Sequence, residues 1–350
     1  MEKNGSCYVG TVSYFDNICT DLNTICTSHV SLRLNPYFCQ MMKKQLLLVV
    51  SALSLSLATF AQDYLPSAER IQKTVNYLAA DKLQGRGTGT KGGKKASEFV
   101  KKQFKALGLQ PGNGNTYFQD FKFDKKTHTN LPSRNVIAYL DNHAANTIII
   151  GAHYDHLGKG ELFDGRYPNE IHNGADDNAS GVAGLLELAR YYKQNNITEQ
   201  FNFLFIAFGG EELGLHGSKY FTENPTIALN TVSFMLNMDM IGRYNPERGI
   251  GIGGYATALE WPAIFKDVQQ DGIKYFTDGS GKGASDHHNF YMKNIPVMFL
   301  HTGGHDDYHK PTDDAPKLQA TSEAGILNLA ISLMNKAMAY PKLTFTSSEK

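Results

Sequence analysis

The feature that most constrains the fold is a series of short apolar segments that alternate with longer segments of helical periodicity. Apolar runs of four to eight residues are typical of strands buried in a parallel sheet. Apolar residues spaced three and four apart are typical of amphipathic helices. Their alternation predicts an α/β fold with a largely parallel mixed central sheet and helices on both faces. Strands are predicted at 136–140, 147–152, 203–208, 232–236 and 296–300, and helices at 68–79, 96–107, 181–192 and 320–338.

The N-terminal part of the chain has the pattern of a targeting signal. Lys43 and Lys44 precede the apolar run 46–60, and Ala61 follows it. This order predicts a secretory signal peptide at 42–61, and therefore export to the periplasm or the extracellular space. The apolar run is shorter than the roughly 20 residues that span a bilayer, which disfavours an uncleaved anchor and stable membrane insertion.

Residues 1–41 precede what resembles a bacterial start, Met-Lys-Lys at 42–44, and they show no clear periodicity. We therefore interpret residues 1–41 as a segment upstream of the true start. All four cysteines lie in that segment: Cys7, Cys19, Cys26 and Cys39. The mature chain, 62–350, then contains no disulfide, so its stability must come from core packing, helped by metal.

The composition excludes several classes of protein. The 34 basic and 34 acidic residues give a formal net charge of +0, which provides no reason to expect nucleic acid or an anionic membrane as a partner. A hydrophobic content of 41% is typical of a globular protein and not of a disordered chain. The Gly-rich segment 81–93 lacks the Gly-Lys-Ser/Thr sequence of a phosphate-binding P-loop.

Histidines and carboxylates cluster directly after the apolar strands or at the start of a helix. In an open α/β sheet, groups that follow parallel strands meet at one edge, where ligands bind. We therefore expect these segments to converge in one crevice. The segments contain His153 and Asp155, Asp176 and Asp177, Glu211 and Glu212, Asp239, and His309.

A metal centre explains this cluster better than separate structural roles do. Buried carboxylates need a compensating cation, and Lys and Arg are scarce in these segments. Imidazole and carboxylate donors without thiolate suit a catalytic zinc. Two histidines and three carboxylates are too many for one tetrahedral zinc with an open position. They suit two zinc ions if one carboxylate bridges them.

These motifs resemble those of the secreted di-zinc aminopeptidase family, which also contains glutaminyl cyclases and glutamate carboxypeptidases. The family's order of His-x-Asp, an Asp three residues before Ser-Gly, Glu-Glu, Asp and a late His is present here. The loop Gly85-Arg86-Gly87-Thr88 is also similar to the family's N-terminal region. The resemblance covers most of 66–340 and implies that 62–350 forms a single zinc-exopeptidase catalytic domain.

The resemblance also implies roles for individual residues. Glu211 matches the general base, Asp155 matches the carboxylate that orients His153, and Tyr308 matches a residue that stabilises the oxyanion in some relatives. The bridging ligand is Asp177, because it stands three residues before Ser180, and family members usually have a cis peptide bond after it. Two zinc ions per chain would be held by His153, Asp177, Glu212, Asp239 and His309.

The expected function is that of an exported zinc aminopeptidase. It would hydrolyse the N-terminal bond of peptides with a free N-terminus, with Glu211 taking a proton from a metal-bound water. Three alternatives stay open: a glutaminyl cyclase, a glutamate carboxypeptidase-like enzyme and a non-enzymatic receptor ectodomain. The cyclases carry Trp where this chain has Tyr308, and receptor relatives usually lose ligands that are present here.

A glutamate carboxypeptidase-like enzyme needs cationic groups for its substrate, and Arg86, Arg166 and Arg243 could serve. Asp286, in a segment that resembles one near the family's metals, is a candidate for supporting the ligands. The remaining histidines are interpreted as structural or peripheral: His156, His172, His216, His288, His301 and His305.

Overall fold

The computed structural model describes residue 45 and residues 64–125, 128–160 and 167–348. The predictions for 1–41 and for the signal peptide at 42–61 therefore lie outside the described residues, apart from residue 45. Helices α1 to α7 span Ala68–Leu78, Lys91–Ala106, Gly181–Gln194, His216–Glu223, Trp261–Phe265, His287–Tyr291 and Ala320–Ala337. Strands β1 to β9 span Gln110–Pro111, Phe118–Lys125, His128–Leu140, Asn146–His153, Phe201–Phe208, Val232–Met238, Ile250–Gly253, Tyr275–Thr277 and Val297–His301.

The strands form one mixed sheet in the order β1-β3-β5-β4-β6-β9-β7-β8, with β2 paired to β3. The four central strands, β5, β4, β6 and β9, are mutually parallel. Antiparallel pairs β3/β5 and β7/β9 flank them on the two sides. The predicted α/β class with a mixed, centrally parallel sheet is thus confirmed.

The two faces of the sheet carry separate cores, because successive side chains of a strand point to opposite faces. Ile148 and Ile150 pack into the larger core, which is covered by α1, α2, α3, α5 and α7. Ile149 lies between them in sequence and packs into the smaller core, where Phe221 of α4 and Phe290 of α6 contribute. Helices therefore cover both faces, and the central strands are apolar at nearly every position.

Helix α2 begins earlier than its apolar periodicity predicts. The expected start was residue 96, but the helix begins at Lys91. The Thr90 side chain caps it by accepting a hydrogen bond from the Gly93 backbone N–H at 3.2 Å. Glycines at 92 and 93 hid this turn from the sequence pattern, because glycine is a poor helix former.

Among the described helices, none combines the length and the apolar composition that a membrane span requires.

Candidate metal centre

The carboxyl ends of the central strands place the predicted residues at one edge of the sheet. His153 is the last residue of β4, and it pairs in register with Phe208, the last residue of β5. Glu211 and Glu212 follow in the next turn, and Asp239 comes directly after β6. Parallel pairing thus aligns the strand ends, and this is why segments distant in sequence meet here.

One group of side chains surrounds His153, which is 1% exposed. Its Nε2 lies 3.2 Å from Asp239 Oδ1, 3.3 Å from Asp177 Oδ1 and 3.9 Å from Glu211 Oε2. On the other side of the ring, Nδ1 bonds the backbone carbonyl of Asp155 at 3.1 Å. That bond directs Nε2 towards the carboxylates.

Asp155 meets the His153 ring through its backbone carbonyl and, at a longer distance, through its carboxylate. Its Oδ1 is 3.9 Å from His153 Nδ1, so the closer contact to the ring is the Asp155 backbone carbonyl. The carboxylate accepts hydrogen bonds from the Thr88 hydroxyl at 2.7 Å and from the Glu211 backbone N–H at 3.2 Å. Asp155 therefore joins the Gly-rich loop to the turn that carries the two glutamates.

A second group of side chains lies beside the first. His309 Nε2 is 3.1 Å from Asp177 Oδ2 and 3.3 Å from Glu212 Oε2. His156 Nδ1 is 2.6 Å from the other oxygen of Glu212. Asp177 thus directs one oxygen to His153 and the other to His309, and it connects the two groups.

The peptide bond between Asp177 and Asn178 is cis, as the family resemblance implies. Asp177 lies in the segment Ala175–Ser180, directly before α3. The Asp313 carboxylate accepts hydrogen bonds from the backbone N–H groups of Asp176 and Asp177 at 2.9 and 3.1 Å. This contact links the segment to the loop that carries His309.

The donor set fits a divalent metal. Two sets of three donors could each hold an ion, because within each set all ligand atoms lie within 4.8 Å of one another. One set is His153, Glu211 and Asp239, and the other is His153, Asp177 and Glu212. These donors are borderline nitrogen and hard oxygen without sulfur, the combination that suits catalytic zinc. The negative charge of the clustered carboxylates also favours a cation at this position. Hydrogen bonds to Asp177 and Glu212 outweigh burial and raise the pKa of His309 to about 10.

Burial raises the pKa of two carboxyl groups near the centre, Glu211 and Asp286. Burial raises the pKa of Glu211 well above its ordinary value, and the charges of Asp239 and Glu212 add to the shift. Burial likewise raises the pKa of Asp286 to about 7. Asp286 is fully buried, and neither of its carboxylate oxygens has a hydrogen-bond partner among the described residues.

Arg86 is a structural cation, and it is wrong to consider it as a group for binding substrate. Its side chain is 0% exposed, and its nitrogens donate to the backbone carbonyls of Leu78, Tyr154, Asn173 and Gly174 at 2.6–2.9 Å. Burial lowers its pKa to about 10, so it stays charged at neutral pH. Arg86 therefore ties together the backbones on both sides of the centre.

The other two candidate arginines differ. Arg166 lies outside the described residues. Arg243 pairs with Asp307 at 3.0 Å, two residues before His309, so one of its nitrogens already has an anionic partner. Tyr308 stacks on His309 with ring centroids 3.8 Å apart and is 46% exposed, which puts its ring at the open side of the centre.

Sequence reasoning missed two histidines in this region. His156 contacts Glu212, and His305 Nε2 lies 3.1 Å from Asp176 Oδ2. Both were interpreted as structural or peripheral. A signal was present for His156, which follows Asp155 in the run His153-Tyr154-Asp155-His156 and so lies on a segment already assigned to the centre.

The described residues 64–348 thus carry clustered histidines and carboxylates at the carboxyl edge of a mixed α/β sheet, an arrangement that suits a metal-dependent hydrolase. Residues 135–334 match the family described as Peptidase family M28. The chain belongs to this family.

The chain is also similar in sequence to known proteins. The chain is 31% identical over 251 residues to leupeptin-inactivating enzyme 1 of Streptomyces exfoliatus, a match that covers 70% of this chain and 50% of that protein. It therefore spans about half the length of that relative.

The fold resembles that of a Zn-dependent exopeptidase from Parabacteroides distasonis, with a TM-score of 0.63, 18% identity and coverage of 77% and 98% of the two chains. It equally resembles Porphyromonas gingivalis glutaminyl cyclase, with a TM-score of 0.62, 20% identity and the same coverage.

Proposed function

We propose that this protein is a zinc-dependent aminopeptidase. One observation carries the proposal: the Asp177 carboxylate lies between two groups of donors, with one oxygen towards His153 and the other towards His309. That arrangement suits a carboxylate shared by two metal ions. Membership of a peptidase family and similarity to leupeptin-inactivating enzyme 1 support peptide hydrolysis as the reaction.

We assign the proposed zinc ions to the five residues that the sequence analysis named. His153 and Asp239 would hold one ion, Glu212 and His309 the other, and Asp177 both. Two zinc ions, when bound, would polarise the scissile carbonyl and make water more acidic.

Glu211 is the proposed general base. It would take a proton from the attacking water and give it to the leaving amine, so the proton balance closes within the reaction. Burial raises its pKa above the ordinary value of a glutamate, which makes it a stronger base than a solvent-exposed carboxylate. Asp155 would hold the Glu211 turn and His153 together through the contacts described above, and Tyr308 would donate to the oxyanion.

The substrates proposed are peptides with a free N-terminus. A glutaminyl cyclase remains the second candidate, because the fold resembles a cyclase as closely as an exopeptidase. A glutamate carboxypeptidase-like activity has less support, since Arg86 is buried and Arg243 is paired with Asp307. Hydrolysis of amino-acyl chromogenic substrates, lost on N-acetylation, supports an aminopeptidase. Pyroglutamate formation from a Gln-peptide without hydrolysis supports a cyclase.

We also propose export after cleavage at Ala61, with 62–350 as a single catalytic domain. The basic, apolar and small-residue order of 43–61 is the support. N-terminal sequencing of the exported protein should start near Gln62. A mature product that retains residues 46–60 would contradict cleavage, and one that retains Cys7 would contradict a start at residue 42.

The comparison of Glu211→Gln with Glu212→Gln tests the mechanism. Glu211→Gln should keep both zinc ions while turnover falls roughly 10²–10⁴-fold, the range for loss of a general base. Glu212→Gln should lose zinc, because a neutral amide is a poorer ligand, and its apparent stability should fall with it. Metal content measured beside turnover separates the two variants. Zinc loss in Glu211→Gln alone would reverse the roles, and normal turnover in Glu211→Gln would refute the mechanism.

A further inference from the structure

We propose that His156 is a positioning residue that holds the Glu212 carboxylate in place for the zinc ion bound by Glu212 and His309. The inference rests on the proposed function, because it concerns a ligand of the proposed metal centre. It adds a residue that neither the sequence motifs nor the family resemblance assigns.

The contact between His156 and Glu212 is short and buried. His156 Nδ1 lies 2.6 Å from Glu212 Oε1, and the side chains are 0% and 5% exposed. The second carboxylate oxygen, Oε2, faces His309 Nε2 at 3.3 Å. The two oxygens of Glu212 are thus divided between the two histidines. His156 restrains one oxygen, while the other faces His309 and is available to the zinc ion that Glu212 and His309 would bind.

The position of the ring proton follows from the partners of its two nitrogens. An ionised carboxylate only accepts hydrogen bonds, so His156 Nδ1 carries the proton in this contact. His156 Nε2 is buried and has no hydrogen-bond partner among the described residues. A metal-ligating carboxylate that is itself hydrogen-bonded keeps its orientation, and such partners affect metal affinity strongly.

The backbone around His156 locks the ring in place. Gly174 packs so closely that a Cβ at this position would lie 2.5 Å from the imidazole ring. The Gly174 carbonyl accepts a hydrogen bond from Arg86 at 2.8 Å, and the Arg86 carbonyl accepts one from the His156 backbone N–H at 3.4 Å. The ring therefore has a fixed place from which to orient Glu212, as a positioning residue requires.

Two substitutions at His156 separate the hydrogen bond from the packing. His156→Phe keeps a ring against Gly174 but removes the donor. His156→Asn keeps an N–H near the position of Nδ1 and removes the ring. The matched control is His172→Phe, because His172 is also buried, at 3% exposure, and its Nδ1 bonds the Glu170 carbonyl at 3.0 Å. Zinc affinity of each full-length protein is measured by competition with a chromophoric chelator, and folding by far-UV circular dichroism.

We expect His156→Phe to weaken one of the two zinc sites by 10–100-fold, the usual range for loss of such a partner. His156→Asn should stay within a few-fold of the wild type, and His172→Phe should bind zinc as the wild type does. Because His156 acts through Glu212, His156→Phe should weaken zinc binding little further in a Glu212→Gln background.

Wild-type affinity at both sites in His156→Phe would overturn the inference. Equal losses in His156→Phe and His156→Asn would also overturn it, because the ring itself, as a ligand or as packing, would then be the cause. These results leave the proposed function intact. If the wild-type protein bound no zinc, the proposed function would fail, and this inference would fail with it.

Discussion

Two buried glutamates, Glu212 at the metal centre and Glu323 near the start of α7, have opposite surroundings. At the metal centre, each of Asp155, Asp177 and Glu212 has hydrogen-bond or histidine partners at short distance. Glu323, near the start of α7, is also 0% exposed, yet neither of its oxygens has a hydrogen-bond partner among the described residues. Burial is the largest cause of the raised pKa of Glu323, and the charges of the nearby Asp176 and Glu187 raise it further.

The difference shows what an arrangement for binding cations requires. Buried charge is costly unless it is paired, so a group without a partner gives up its charge instead. Burial raises the pKa of Glu323 well above its ordinary value, which favours its neutral form. Glu212 is also buried beside the acidic Asp177, yet His156 and His309 hold its pKa below the ordinary value. A buried acid is thus a candidate ligand only where other groups favour its charged form.

The largest loss of stability is expected when the buried cation beside the metal centre is removed, because the charged carboxylates there depend on positive neighbours. Arg86→Met should lower the free energy of unfolding by about 3–5 kcal/mol, because four backbone carbonyls lose their donor and the carboxylates lose a positive charge. Urea unfolding measures the effect. Arg190→Met is the control, since its guanidinium bonds the exposed Gln194 side chain, and it should change stability by no more than about 0.5 kcal/mol. Equal effects would mean that Arg86 is not a structural cation.

Addition of zinc should stabilise the centre and leave the Glu323 region unaffected. At a free zinc concentration 100 times the dissociation constant, one bound ion raises the free energy of unfolding by about 2.7 kcal/mol. Asp177→Asn should lose most of this gain, because its carboxylate connects both groups, whereas Glu323→Gln should keep it. Thermal unfolding with zinc and with a chelator measures both. An unchanged zinc response in Asp177→Asn would contradict its proposed bridging role.

Glu323→Gln should stabilise the protein, and more so at higher pH. The folded-state pKa of Glu323 is raised, so the stability it contributes is complete below its unfolded pKa of about 4.3 and is lost as pH rises towards the folded value. The amide does not titrate, so the variant should be more stable than the wild type at pH 8 and almost equal to it at pH 4. Urea unfolding of both proteins across this range gives the difference. The exposed Glu247, changed to Gln, is the control, and a pH-independent difference for Glu323→Gln would refute the prediction.

The smallest effect is expected at a partly exposed carboxylate that has cationic partners. Lys317, Thr312 and Arg243 bond Asp307 and hold its pKa below the ordinary value. Its stabilising contribution is therefore present above its unfolded pKa of about 3.9 and is lost as pH falls towards the folded value. Asp307→Asn should cost less than about 1 kcal/mol at pH 7, since solvent screens such pairs. A larger cost, or one that persists at low pH, would contradict this assignment.

Much of the fold could be predicted because the central strands are apolar on both faces. The predicted segments 147–152 and 203–208 lie within β4 and β5, and the polar residues after them meet as expected. Short or edge elements were missed, β7 and β8 among them, because a strand of three or four residues has too short a pattern to distinguish it from a loop. The start of α2 was missed because Gly92 and Gly93 are poor helix formers and the Thr90 cap that compensates for them is a single side-chain contact.

The sequence by itself determined the class of sheet and the residue types at its carboxyl edge. The periodicity that predicts strands depends only on residues close together in the sequence. A motif such as His153-x-Asp155 can therefore be placed at the carboxyl end of its strand from the sequence alone. Only the tertiary structure decided that Arg86 is buried on four carbonyls, that His156 contacts Glu212 and that Glu323 lacks a partner. Residues 86 and 174, or 156 and 212, are far apart in sequence, and their contact depends on how the loops pack around the strand ends. Burial and the neighbouring groups together then set the charge of each carboxyl group, because both the desolvation cost and the partners depend on the surroundings of the residue and not on its identity.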